Sequence, residues 1–269
     1  MPFAIRMLVL CFVVIALARP QSSLSHKQVD VEGIDIVMAL DISGSMMAMD
    51  FKPNRLEACK KVIKSFIEGR PTDRIGLVVY AGEAYTKCPL TTDHATLLSA
   101  LESVKYIEEI DGTAIGDGLG TAINRLRESK AKSKVIILLT DGVNNRGHID
   151  PRSAAELAKE FDIRIYTIGC GTIGKAPIQH RGRIYYDEVK IDEPVLKYIA
   201  KETGGLYFRA ANKDKLTAVY AEIDKMEKTR ISETHFTNKS DEFFPFLICA
   251  VALFLLEILL RYTVLRVKP

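Results

Sequence analysis

A chain of 269 residues, 48% of them apolar, has room for one or two domains and a sizeable core. The formal charge is +3, yet Arg6, Arg19, Arg261, Arg266 and Lys268 stand near the two ends in stretches without acids. Residues 20–260 therefore hold 32 bases against 34 acids, a balance of −2, which excludes a nucleic-acid binder working through a basic domain face.

In chain order, residues 7–18 are twelve uncharged residues preceded by Arg6. Two readings are open for residues 1–19. One is a membrane anchor with Arg6 reaching back to the surface. The other is a signal-like segment with Ala16-Leu17-Ala18 as its cleavage site, which Arg19-Pro20 makes awkward. Short apolar runs then alternate with amphipathic segments. Strands are expected at 34–40, 75–80, 135–140, 163–168 and 206–209, helices at 55–67, 95–104, 115–128, 153–161, 194–203 and 213–226. Nearly continuous apolar strands between helices predict an α/β fold, doubly wound, with a mostly parallel sheet covered on both faces. Residues 174–190 break this rhythm. They read as a hairpin or loop insert, exposed and away from the candidate site described next.

A polar linker is expected at 229–242, then a transmembrane helix at 243–265. Glu257 is the one charge between 243 and 260, and a pairing with Arg261 along one helix face is expected. The basic tail, 261–269, favours the cytoplasm. Cys59, Cys88 and Cys170 in the domain, and Cys11 and Cys249 in the apolar ends, have no metal-ligand spacing. All five are expected to be buried thiols.

Ligands in such folds bind beyond the carboxyl ends of the strands. Three fragments fall there: Asp41-Ile42-Ser43-Gly44-Ser45 after the first strand, Asp111-Gly112-Thr113 before the helix at 115, and Asp141-Gly142 after the strand 135–140. Alternate residues of a near-extended loop point the same way, so Asp41, Ser43 and Ser45 can converge, with Thr113 and Asp141 completing the set. Two carboxylates and three hydroxyls form a hard-oxygen site, suited to Mg²⁺ or Mn²⁺ and less to Ca²⁺. Met46, Met47 and Met49 follow in the same loop. They form either an adaptable contact rim or a packing layer over the helix at 55–67.

Catalysis is not expected. Ser43 occupies the place where an aspartyl phosphatase carries its second aspartate. Neither serine has the Gly-x-Ser-x-Gly frame, and no phosphate-cradling Gly-x-x-x-x-Gly-Lys loop occurs. Of five histidines only His148 lies near the set, and it reads as a solvated loop residue.

In order, spacing and strand context, Asp41-x-Ser43-x-Ser45, Thr113 and Asp141 resemble the metal-ion-dependent adhesion site (MIDAS) of von Willebrand factor type A (VWA) domains, over about residues 30–228. Further strings resemble the membrane-anchored bacterial subgroup called BatA, or aerotolerance proteins. These are Ala18-Arg19-Pro20-Gln21, Asp50-Phe51-Lys52-Pro53-Asn54-Arg55, Asp73-Arg74-Ile75-Gly76-Leu77 and the C-terminal apolar segment. That subgroup usually has one more apolar segment upstream. The resemblance implies a metal-dependent protein-binding module in a bacterial inner membrane, its domain on the periplasmic side. A partner's Asp or Glu would complete the ion, and sister VWA membrane proteins and a MoxR-type ATPase would be partners. The alternative is a structural membrane subunit whose site is vestigial or only stabilising.

Overall fold

The computed structural model describes residues 2–18, 21–22, 33–110, 112–172, 174–180, 183–234, 240–241 and 243–263. In chain order the elements are α1 (Pro2–Leu17), β1 (Gln21–Ser22), β2 (Asp35–Asp41), a 3-10 turn (Gly44–Met47), α2 (Arg55–Glu68), β3 (Arg74–Tyr80), β4 (Ala84–Thr91), α3 (His94–Glu102), α4 (Ile115–Leu126), β5 (Lys134–Thr140), α5 (Pro151–Glu160), β6 (Ile163–Cys170), β7 (Gly174–His180), β8 (Arg183–Val189), α6 (Glu193–Glu202), β9 (Tyr207–Ala210), α7 (Lys213–Thr234), β10 (Ser240–Asp241) and α8 (Phe244–Thr263). They form two compact units. One is residues 31–231; the other joins residues 1–30 to 232–269.

The larger unit is built on a six-stranded sheet in the order β4-β3-β2-β5-β6-β9. All neighbouring pairs are parallel except β3 with β4. Every residue of β2 is buried. Its alternate side chains divide between two cores, as the two-residue period of a strand requires. Ile36, Met38 and Leu40 meet the inner stripes of α2, α3 and α7. Val37 and Ala39 meet those of α4, α5 and α6. α2 shows why a helix forms and stops here. Asn54 caps it by accepting the Glu57 N–H at 2.8 Å, and Leu56, Cys59, Val62, Ile63, Phe66 and Ile67 recur at helical spacing on its buried face. Gly69 then ends it.

The sequence reading missed β4. Its residues are mostly half-exposed, and Pro89 cannot donate to a ladder, so the segment is confined to an antiparallel edge and lacks the apolar run of an inner strand. α7 runs on to Thr234, making residues 229–234 of the expected linker helical. Glu227 anchors that extension. It is fully buried and accepts from Arg164 Nη1 at 2.5 Å, Tyr166 Oη at 2.6 Å and Ser133 Oγ at 2.9 Å.

In the smaller unit β1 pairs antiparallel with β10, Gln21 opposite Asp241. α1 packs on α8, and Arg6 Nε donates to Glu257 Oε1 at 2.6 Å. The two helices are therefore antiparallel. Arg6 supplies the partner for Glu257, reached across the helix pair instead of along one helix; the Arg261 side chain lies outside the described residues. Cys11 and Cys249 face outward, so only the three domain cysteines are buried. Among the described residues no helix is long and apolar enough to cross a membrane. Residues 264–269 of the expected tail 261–269 lie outside the described residues, as does Arg19-Pro20.

Candidate metal centre

β2 and β5 are adjacent and parallel, in register from Asp35–Lys134 to Leu40–Leu139. From β2 the chain crosses to β3 on one side; from β5 it crosses to β6 on the other. The carboxyl ends of β2 and β5 thus open at the point where the connections diverge. Asp41 is the last residue of β2 and Asp141 follows the last residue of β5, and both are fully buried. The Ser43 N–H donates to Asp41 Oδ1 at 2.9 Å, curling the loop so that Ser43 Oγ lies 3.0 Å from Ser45 Oγ. Ser45 Oγ donates to Asp141 Oδ1 at 2.6 Å. Thr113 comes from the loop before α4, and its Oγ1 lies 3.3 Å from where a side chain on Gly142 would begin. The five residues singled out in the sequence are brought together. Asp111, beside them in sequence, lies outside the described residues.

A buried frame holds this group. Thr140 Oγ1 donates to Asp41 Oδ2 at 2.7 Å. Arg55, fully buried at the start of α2, donates through Nη1 to Asp141 Oδ2 at 2.7 Å. Its Nε and Nη2 grip both oxygens of Asp50 at 2.7 and 2.5 Å, and Asp50 also accepts from Thr172 N and Oγ1 at 2.9 and 3.0 Å. Gly171, at φ +107°, makes room: a Cβ there would meet Arg55 Cζ at 2.4 Å. Two asparagines set Thr113. Asn145 Oδ1 accepts the Thr113 N–H at 2.8 Å, and Asn144 Oδ1 caps α4 by accepting the Ile115 N–H at 2.8 Å. The sequence reading named neither asparagine, nor Thr140. It quoted Arg55 only as part of a string.

The von Willebrand factor type A domain model matches residues 35–222, more than half of the chain. The chain belongs to the VWA family. Among solved structures, BatB from Bacteroides thetaiotaomicron is 34% identical with a TM-score of 0.65, over 73% of this chain and 100% of that one. An aerotolerance-related membrane protein from Bacteroides fragilis is 30% identical with a TM-score of 0.63, over 72% and 98%. An uncharacterized protein from Borreliella burgdorferi is 32% identical over 249 residues, 90% of this chain and 73% of its own length.

The electrostatics of this VWA domain suit a cation. Burial, then the nearby Asp141 charge, push the Asp41 carboxyl up to about 7 against the hydrogen bonds from Ser43 and Thr140. Burial also raises Asp141, with the Arg55 charge opposing. Asp50 ends below its usual range, because the Arg55 and Thr172 hydrogen bonds outweigh its burial. Two carboxylates thus share one buried face with a single guanidinium between them and a third acid. Among the described residues no three His, Cys, Asp or Glu side chains converge as a metal cluster, so the donors on offer are oxygens, three of them neutral hydroxyls. That set fits a hard divalent ion.

One expectation changes, the open choice for the methionines is resolved, and His148 is the solvated loop residue expected. The insert at 174–190 is a hairpin, β7 with β8, but it does not lie away from the site. Ala48 bridges Ile178, the Met49 N–H donates to Pro177 O at 2.8 Å, and Ala176 is buried with Ala48. The ribbon needs a surface to pack on, and the loop after Ser45 provides it. The methionines divide: Met46 is buried in the core, whereas Met47 and Met49 stay half-buried at the rim. His148 is exposed, its ring 3.5 Å from Asp117 and its N–H tied to the same carboxylate.

Proposed function

We propose that this VWA protein is a membrane-linked module that binds a protein partner through a divalent ion, Mg²⁺ or Mn²⁺, held by Asp41, Ser43, Ser45, Thr113 and Asp141. The observation that carries the reading is the pair of fully buried carboxylates at adjacent strand ends, faced by three hydroxyls. The ion would supply an electrophilic point for a partner's Asp or Glu. The chain's own residues supply charge, through Asp41 and Asp141, and neutral oxygens, through Ser43, Ser45 and Thr113. Binding fits better than catalysis. The two serine hydroxyls are bonded to each other and to Asp141, and among the described residues no histidine is hydrogen-bonded to any of the five.

The membrane role follows from the Bat and aerotolerance likeness and from the smaller unit. α1 and α8, 16 and 20 residues long, pack on each other there. Phe244, Leu247, Ile248, Val251, Leu255 and Leu259 are exposed on α8 while Glu257 is turned inward. Apolar outside and ionic inside is the arrangement lipid demands. We place the chain in the bacterial inner membrane with the VWA domain on the periplasmic side. By resemblance, sister VWA membrane proteins and a MoxR-type ATPase are its partners, in a complex serving stress tolerance.

A structural subunit is the second reading. The Ser45–Asp141–Arg55 bonds favour it, because they satisfy much of the site internally. Calorimetry with Mn²⁺ on the full chain in detergent decides. Wild type takes up the ion and Asp41→Ala loses it, since a full negative charge facing a dication is removed. Equal uptake by both proteins would refute the assigned site.

A further inference from the structure

Cys59 and Cys170 lie far apart in the chain, yet both are fully buried in the same core. Cys59 sits one turn beyond Arg55 on the inner face of α2, and Cys170 is the last residue of β6. Gly171 follows it, seated against the Arg55 guanidinium, so the end of β6 meets α2 closely. The two thiols meet there. Their hydrogen bond, then burial, push the Cys59 thiol well above its usual range. Burial first, then the neighbouring Cys59 and Cys170, push Tyr220 up as well, so its unpartnered hydroxyl shares this corner of the core. Cys88 does not compete for Cys170. β4 and β6 stand four strands apart in the sheet, ~19 Å at ~4.8 Å per strand, whereas a disulfide spans ~7 Å at most between Cα atoms.

We propose that Cys59 and Cys170 are a disulfide-forming pair, joined as the chain folds in an oxidising compartment and tying α2 to the end of β6 beside Arg55. The compartment rests on the periplasmic placement above; the pairing does not. The oxidant is a disulfide, on a small molecule or a protein. One cysteine thiolate attacks it, which breaks its S–S bond, leaves a mixed disulfide and releases one thiol. The second cysteine thiolate attacks the mixed disulfide, which forms the Cys59–Cys170 bond and releases the second thiol. The two cysteines lose two electrons and two protons, and the oxidant gains them. In the folded chain neither sulfur is exposed and Cys59 holds its proton, so the exchange belongs to the folding chain. The bridge closes the long loop from 59 to 170 and so removes freedom from the unfolded chain. It also pins the helix turn that follows Arg55, the donor to Asp141.

The test unfolds the reduced full chain, in detergent, with urea and returns it to native conditions with reduced and oxidised glutathione. Remaining thiols are alkylated under denaturing conditions and the peptides are mapped. The peptides of Cys59 and Cys170 emerge joined and Cys88 emerges alkylated. The Tm stands ~5 °C or more above that of the chain returned with reductant alone. Cys59→Ala and Cys170→Ala each abolish the joined peptide and the shift, and Cys88→Ala abolishes neither. If the chain does not regain its fold from urea, glutathione is added in urea below the unfolding midpoint, where local opening exposes the sulfurs, and the same mapping decides. Alkylated Cys59 and Cys170 after oxidation, a bridge to Cys88, or a Tm lowered by the bridge overturns the proposal. A bridge that forms in glutathione but is missing from chain taken from acid-quenched cells leaves the pairing standing and overturns the periplasmic placement.

Discussion

At Asp41 the fold works against an ionised carboxylate. Its ordinary value of 3.8 rises to about 7 in the folded chain, so between those two pH values the folded state holds a proton that the unfolded chain has released. Stability is therefore highest below ~3.8 as far as this group is concerned, and it is lost as pH rises toward 7. Asp141, also raised, adds to the loss with the same sign. A chain stripped of divalent ions should show a falling Tm from pH 4 to pH 7, with Asp41 contributing at most about 1.4 kcal/mol per pH unit. Asp41→Asn should flatten that slope. A Tm that rises across this window in the stripped wild type would contradict the burial argument. The same residue shows what a sequence reveals. Asp41, Ser43 and Ser45 were legible because alternate residues of one loop share a direction. Thr113 and Asp141 were legible because each adjoins a strong element boundary. Arg55 and Thr140 meet their carboxylates across 86 and 99 residues, and a base in the first turn of a helix reads as solvated unless the fold shows it pointing inward.

Among elements, the β7–β8 hairpin departs most from its sequence reading. Its composition located it correctly as an insert. Its docking could not be read, because Ala48 and Ala176 are small residues whose burial depends on meeting each other. A two-stranded ribbon is marginal alone, so its order comes from the Ala48–Ile178 bridge and the Met49–Pro177 bond, a few residues beyond Ser45. Deleting residues 174–190 should therefore lower both the Tm and the Mn²⁺ affinity, because it uncovers Ala48 and frees the metal loop. Tyr186→Ser, at a side chain 71% exposed, should leave stability within ~0.5 kcal/mol. Unchanged Mn²⁺ affinity after the deletion would show that the loop holds its shape without the ribbon. The inner strands were easy to place because burial on both faces writes a continuous apolar run. The edge strand β4 was not, because half of its surface stays wet.

For the molecule as a whole, charge distribution argues orientation. α1 and α8 are antiparallel, so Arg6, near the start of one, meets Glu257, near the end of the other. If this pair of helices lies in the bilayer, the beginning and the end of the chain reach the same surface. In the sequence, Arg6 lies in α1, and Arg261, Arg266 and Lys268 follow Glu257 with no acid among them. Cytoplasmic segments are enriched in Lys and Arg, whereas the −2 balance of residues 20–260 carries no such retention signal. The tail is thus expected in the cytoplasm and Lys228 outside it. A reporter active only outside the cytoplasm should be active when fused after Lys228 and silent after Pro269, and a cytoplasm-dependent fluorescent reporter should show the reverse. Cytoplasmic signal from the Lys228 fusion would overturn this orientation. It would also put the metal face on the side where a cytoplasmic ATPase could reach it directly.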